Sequence, residues 1–253
     1  MKRRAFGRGL VISLFDRTGN MVAPWAAAGF LGLCVDLRHP PGETRDGNVI
    51  RIGADVRDWL PPYAPVAMVF AFPPCTDVAV SGARWFQDKG LGALVRALGL
   101  FDAAVRLAEW TGAPYLVENP VSTVATYWRK PDHTFDPCDY GGWLDPPDDA
   151  YTKKTCLWTG NGFVMPPPRR VAPTEGSRML RYRPGPDRAD LRSATPRGFA
   201  QAVFAANHRP GQGDGGGLYT RAKILRREFP SWRCAGRRKQ PIMKSVATWN
   251  RSS

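Results

Sequence analysis

Several absences narrow the reading of this chain. None of its five cysteines (Cys34, Cys75, Cys138, Cys156, Cys234) lies at C-x-x-C spacing with another, and their number is odd. That argues against a zinc ribbon and against a disulfide framework, and a reducing, cytoplasmic setting with no bound metal is expected. No stretch of 18 apolar residues occurs, and the apolar run behind the basic start, Gly9 to Phe15, is only strand-sized. Neither a membrane span nor a secretory leader is therefore expected. No G-x-G-x-x-G is present, which disfavours a fold that cradles a dinucleotide pyrophosphate. No internal repeat is visible. Acidic residues are scarce: 22 Asp and Glu stand against 36 Lys and Arg, for a net charge of +14. An excess of that size points to a polyanionic partner, usually nucleic acid. A basic soluble protein without such a partner would carry the same charge.

The apolar residues that are present make up 43% of 253, enough for one large α/β domain with a small appendage. Gly9–Phe15 reads as a buried strand closed by the turn Asp16–Asn20. Pro24–Gly29 reads as a short helix, with proline in its first turn and glycine past its end. Leu31–Leu37, Asn48–Asp55 and Val66–Phe72 read as further strands. Leu91–Trp110 carries the clearest helical spacing, through Leu91, Leu94, Val95, Leu98, Phe101 and Val105, and Gly112 follows it. Tyr115–Glu118 is a fifth strand. Strands that read as continuous apolar runs and alternate with helices predict a mostly parallel sheet flanked by helices, a Rossmann-like α/β fold. From about Thr123 to Arg192, proline, glycine and aromatics dominate, with one strand-like island at Thr155–Trp158. Thr195 reads as the N-cap of a helix that runs to Asn207, with Pro196 at its first position.

Ligands of open α/β sheets sit at the carboxyl ends of the strands. The turn after the first strand offers Asp16, Thr18, Gly19 and Asn20, and Asp36 ends the second strand 20 residues after Asp16. A carboxylate there can accept hydrogen bonds from ribose hydroxyls, and Asp55, ending the third, can meet an adenine edge. A turn with a single glycine suits a nucleoside cofactor without phosphates, such as S-adenosylmethionine. Ordinary turn residues would look the same.

Cys75 follows Phe72-Pro73-Pro74 at the end of a buried strand. The prolines stiffen that loop, and strand ends are where site residues gather. An inert loop cysteine is the other reading, since most cysteines are structural. Glu118 ends the next strand. A thiol and a carboxyl on neighbouring strand ends suit chemistry on cytosine. Thiolate attack on carbon 6 makes carbon 5 nucleophilic, and the carboxyl can hold a proton at the ring nitrogen. The thiolate is the attacking form, so positive charge must lower its pKa from about 8.5. Arg84, Lys153 and Lys154 are the candidate side chains.

These residues resemble the DNA cytosine-5 methyltransferase family. Leu14-Phe15-Asp16-Arg17-Thr18-Gly19 is similar to the family's cofactor loop, followed in order by Ala28-Gly29-Phe30 and Val35-Asp36. Phe72-Pro73-Pro74-Cys75 resembles its catalytic Pro-Cys loop, and Glu118-Asn119-Pro120 its Glu-Asn-Val motif. Tyr151–Thr155 stands where the family has a Gln-x-Arg-x-Arg segment, and the helix from Pro196 resembles the one that packs back on the cofactor domain. The likeness spans residues 9 to 207 and is similar to compact members from phage and prophage genomes.

The resemblance implies a methyltransferase fold, S-adenosylmethionine as methyl donor, and DNA as partner, with the target base flipped out or taken from a single strand. It implies Cys75 as nucleophile, Glu118 on the cytosine ring nitrogen, and Lys154 in place of an arginine that touches the base. Phe15, Asp16, Thr18, Gly19, Asn20, Asp36, Asp55 and Pro73 would line the cofactor; Pro74, Arg84, Asn119 and Lys153 would line the substrate. Cys156 occupies the place of a second arginine. A monomer in the cytoplasm of a bacterial or phage-infected cell is expected. The expected organisation is a catalytic domain over 1–158, a short irregular recognition region over 159–194, the terminal helix over 195–210, and a linker with basic tail over 211–253. The recognition region has only 36 residues, so sequence specificity should be low or short. Leu218–Ser253 carries ten Lys and Arg against Glu228 alone, +9 of the total, interleaved with Tyr219, Phe229, Trp232 and Trp249. That mixture suits phosphate contacts and base stacking, or a solvated tail. A catalytically silent DNA-binding relative and an enzyme of free cytosine nucleotides remain the alternatives.

Overall fold

In a computed structural model of the chain, the described residues are 8–177, 185 and 192–208. The linker and basic tail expected over 211–253 lie outside them, as does most of 178–191 of the irregular region. The strands are β1 (Leu10–Leu14), β2 (Leu31–Val35), β3 (Gly42–Asp46), β4 (Val49–Gly53), β5 (Val66–Ala71), β6 (Tyr115–Pro120), β7 (His133–Phe135) and β8 (Thr155–Gly160). The helices are α1 (Ala23–Ala27), α2 (Phe86–Thr111), α3 (Val124–Tyr127) and α4 (Arg197–Asn207).

The strands form one sheet in the order β3-β4-β2-β1-β5-β6-β8-β7. The five central strands, β4 through β6, are parallel. β3 is antiparallel to β4 at one edge, and β8 runs antiparallel to both β6 and β7 at the other. The expected mostly parallel sheet is present. β1 explains why the centre is parallel: all five of its residues are buried, which requires cover on both faces. Leu10, Ile12 and Leu14 face one core, where Phe101, Ala104 and Val105 of α2 and Trp158 of β8 pack. Val11 faces the other, against Trp25 of α1 and Phe199 and Val203 of α4.

Three element expectations change. β3 was not legible: Gly-Glu-Thr-Arg-Asp is exposed throughout, because an edge hairpin arm need bury neither face. The long helix begins at Phe86, five residues earlier than its apolar spacing indicates, and breaks at Gly90, whose φ of 71° and ψ of 174° are not helical. The continuous part ends on left-handed Gly112, whose N–H bonds the Glu109 carbonyl at 3.0 Å. The terminal helix has Pro196, not Thr195, at its N-cap. The Thr195 carbonyl instead accepts from Asn20 Nδ2 at 3.0 Å, and Asp149 Oδ2 accepts the Gly198 N–H at 2.8 Å. Phe199 then stacks on Phe135, with ring centroids 4.1 Å apart.

From β1 the chain winds outward through β2 to β4, then returns to place β5 on the other side of β1. Strand order reverses there, and the crevice outside the carboxyl ends of β1 and β5 is where such sheets bind ligands. Both the Asp16 turn and the Pro73–Cys75 loop open onto it. Among the described residues, no helix is long and apolar enough to cross a membrane.

Candidate active site

The loop after β1 is organised by one side chain. Asp16 is buried, and its Oδ1 accepts the Thr18 N–H at 2.9 Å, the Thr18 hydroxyl at 3.0 Å and the Gly19 N–H at 2.8 Å. Its Oδ2 accepts the Ser13 hydroxyl at 2.6 Å. Gly19 has a φ of 75°, which the turn requires of it. Phe15 also has a positive φ, 56°, an uncommon conformation for a bulky residue and a sign of a constrained strand end. This loop does not suit a phosphate: the N–H groups that a phosphate cradle turns toward its ligand are consumed here by Asp16. It suits the phosphate-free cofactor expected from the sequence, with Phe15 and Gly19 as wall. Asp16, Thr18 and Asn20 shape this wall through their bonds to one another and to Thr195.

The two other acidic strand ends differ. Asp36 accepts the Arg38 N–H at 2.7 Å in a local turn at the end of β2. Asp55 is gripped by Arg57, whose Nε lies 3.0 and 3.1 Å from the two carboxylate oxygens. Those hydrogen bonds hold its carboxyl below the usual range. Arg57 thus shares the carboxylate that is expected to face an adenine edge.

On the far side of the crevice, Pro73 is buried and Pro74 exposed. Cys75 opens a turn in which its carbonyl accepts the N–H groups of Val78, at 3.1 Å, and Ala79, at 2.8 Å. Two clamps fix this loop. Lys89 Nζ donates to the Thr76 carbonyl at 2.9 Å and to Asp77 Oδ1 at 2.8 Å. Val80 N–H donates to the Val121 carbonyl, and Thr123 N–H to the Val78 carbonyl, both at 2.9 Å. The second clamp ties the cysteine loop to the segment that follows Glu118. Asn119, fully buried, adds a third: its Nδ2 donates to the Pro73 carbonyl at 3.1 Å. Asn119, expected to touch substrate, also positions the loop.

Glu118 lies in the field of the thiol. Its Oε1 is buried without a hydrogen-bond partner, and Lys153 Nζ stands 3.9 Å away. Burial raises the carboxyl above its ordinary value, and Lys153 offsets part of that. Burial also raises the Cys75 thiol, as does the Glu118 charge, while Lys153 and Arg192 pull it down. The resting cysteine is therefore a thiol. A neutral Glu118 removes one of the two forces that keep it so.

No family model matches the chain, and no curated protein matches it.

The structure brings Cys75, Glu118 and Lys153 together. Lys154, expected as the base-contacting cation, is exposed, whereas Lys153 is half-buried against Glu118 with its N–H held by Asp136 Oδ1 at 2.7 Å. Lys154 instead lowers the thiol of Cys156, a core residue raised by burial and by Glu118. Arg84 sits on the exposed 3-10 turn Val80–Trp85, its guanidinium 5.0 Å from the Trp85 ring centroid, so the cations acting on Cys75 are Lys153 and Arg192. Arg192 carries no motif; only its place just before the terminal helix could have singled it out. Ser122 Oγ and Thr123 Oγ1, also unflagged by the sequence, are buried without partners, as is Asn119 Oδ1.

Proposed function

We propose that this protein is a DNA cytosine-5 methyltransferase that uses S-adenosylmethionine and works through a covalent Cys75 adduct. The observation that carries the reading is the parallel pair β5 and β6, with Cys75 in the loop after β5 and Glu118 on β6 just past its last pairing with β5, its Oε1 buried without a hydrogen bond and Lys153 Nζ 3.9 Å away. The fold supports it. Taken in chain order, the parallel strands follow the Rossmann arrangement, and the reversed strand β8 between β6 and β7 is similar to the sheet of S-adenosylmethionine-dependent methyltransferases. The phosphate-averse loop at β1 supports the same cofactor, with Phe15, Gly19 and Asp36 as the residues that would hold it.

When bound, S-adenosylmethionine supplies an electrophilic methyl group. The chain's own residues do the rest. The Cys75 thiol passes its proton to solvent, and Sγ forms a bond to carbon 6 of cytosine. The electron pair of the carbon 5–carbon 6 double bond then becomes available at carbon 5. The protonated Glu118 carboxyl donates to the ring nitrogen and stabilises the charge that reaches it. After carbon 5 is methylated, loss of its proton to water re-forms the double bond and expels Sγ, and the ring nitrogen returns its proton to Glu118. Lys153 keeps both groups within working range: its charge favours the thiolate and limits how far burial raises Glu118. The prolines and Asn119 hold Sγ in place while this happens.

The test is transfer of tritiated methyl from S-adenosylmethionine to unmethylated DNA by the full chain, with Cys75→Ala as control. Label on DNA with the native chain and none with the variant is expected. No label on any DNA rejects the reading, and label on free dCMP but not on DNA moves the substrate to nucleotides.

A further inference from the structure

A shallow, half-open cleft of about 410 Å³ lies beside the two catalytic loops. Asp77, from the Cys75 loop, and Thr123, from the loop after Glu118, both line it. Phe86, Leu91 and Tyr127 supply apolar and aromatic wall, and Lys89 neutralises Asp77 at 2.8 Å. Leu91 is 75% exposed and Tyr127 62%, a large apolar surface left open to water. Inside the wall, the Thr123 hydroxyl is buried without a partner. Tryptophans that each carry an arginine follow directly in sequence: Arg84 lies over Trp85, next to Phe86, and Arg129 lies 4.5 Å from the Trp128 ring centroid, next to Tyr127.

We propose that this cleft takes an unpaired base next to the target cytosine on the same strand, so that the substrate is single-stranded or locally opened DNA. The inference rests on the function proposed above and specifies its substrate. Three observations meet in it. Asp77 is two residues from Cys75, so its Cα is at most about 7.6 Å from that of Cys75 and the cleft lies within a nucleotide's reach of the nucleophile. Aromatic walls stack on any base, whatever its identity. Arg84, two residues from the lining Phe86, supplies a cation for the phosphate that accompanies each base. The walls are side chains, so a base enters only after leaving its stack, which costs least in a single strand. Such a cleft also fits a recognition region of 36 residues, since the neighbouring base is gripped by the catalytic domain itself.

Affinity of the full chain for a 12-nucleotide thymine strand with one central cytosine tests this at fixed salt. The comparison strands lack the base 5′ or 3′ of the cytosine. Removing one of these bases should weaken binding about tenfold in the native chain. In Tyr127→Ala and Leu91→Glu, both at exposed positions, the intact strand should bind about tenfold more weakly and the loss of that base should no longer matter. Thermal melting confirms that both variants fold. A neighbouring base that makes no difference in the native chain, or the same difference in both variants, overturns the proposal. Labelled methyl transfer to the same strand keeps the two ideas apart. Transfer without a neighbouring-base effect sinks the cleft, and a neighbouring-base effect without transfer sinks the methyltransferase reading.

Discussion

On the β1 side of the crevice, Asp16 spends both carboxylate oxygens on its own loop and Asp55 is closed by Arg57. On the β6 side, Glu118, Asn119, Ser122 and Thr123 each keep a buried polar atom without a hydrogen bond. Of the five such side-chain atoms found among the described residues, four fall within these six positions. An orphaned buried polar group costs about 1–3 kcal/mol, so a cluster of them is tolerated only where something else is gained. The contrast separates a wall that is finished in the free protein from one that is completed by what binds there. The first can be rigid and undemanding of its ligand; the second is where the chemistry is expected.

Changes on the two sides should therefore have opposite signatures. Glu118→Gln should lower methyl transfer by about 10²–10⁴-fold, the usual range for a positioned proton donor. It should also raise stability by about 1 kcal/mol in urea unfolding. The sign follows from linkage. Burial raises the folded carboxyl above its unfolded value, so the folded chain binds the proton more tightly than the unfolded one. The stability of the native chain then falls as pH rises from the unfolded value to the folded one, and glutamine removes that slope. A variant with lowered stability would break the comparison.

Asp16→Ala should do the reverse: a loss of about 2–3 kcal/mol, because Thr18, Gly19 and Ser13 lose their acceptor together. Weaker cofactor binding, read by calorimetry, should follow from the loosened loop. An unchanged melting temperature would mean that the β1 wall is not held as described.

The smallest effect, and the sharpest, is at Lys153. Its charge pulls down the Cys75 thiol, so Lys153→Met should move the rising limb of the pH–rate profile to higher pH, and Lys153→Arg should restore it. Lys154→Met should leave the profile in place. A shift with Lys154→Met instead would return the role to the residue that the sequence favoured.

The pattern of what was legible follows the same divide. β1, β2, β5 and β6 read correctly because strands buried on both faces leave continuous apolar runs. Cys75 came with them, in the loop after β5, whereas the strand expected to end at Glu118 runs on to Pro120 through its pairing with β8. β3 escaped because an exposed edge arm leaves no apolar trace. Asp55 looked like a ligand group because the closing of Arg57 onto it is a local turn, which no spacing rule for strand ends reveals. Lys153 and Lys154 are equivalent as letters; which of them faces Glu118 depends on how the chain enters β8 and on Asp136 holding the Lys153 N–H. Arg84 and Arg192 show the same limit over longer range, because a charge acts through space and its sequence neighbours do not record what it faces.

The central claim is that Cys75 bonds to a cytosine ring. DNA carrying 5-fluorocytosine tests it, because a fluorine at carbon 5 is not lost as a proton is, so the ring cannot expel Sγ after methylation. The account predicts that the full chain, given this DNA and S-adenosylmethionine, accumulates a denaturation-resistant protein–DNA adduct. Its mass should equal the sum of protein, strand and one methyl group, with the link mapped to Cys75. Methyl transfer to ordinary DNA with no adduct on the fluorinated strand, or an adduct that persists in Cys75→Ala, would contradict it.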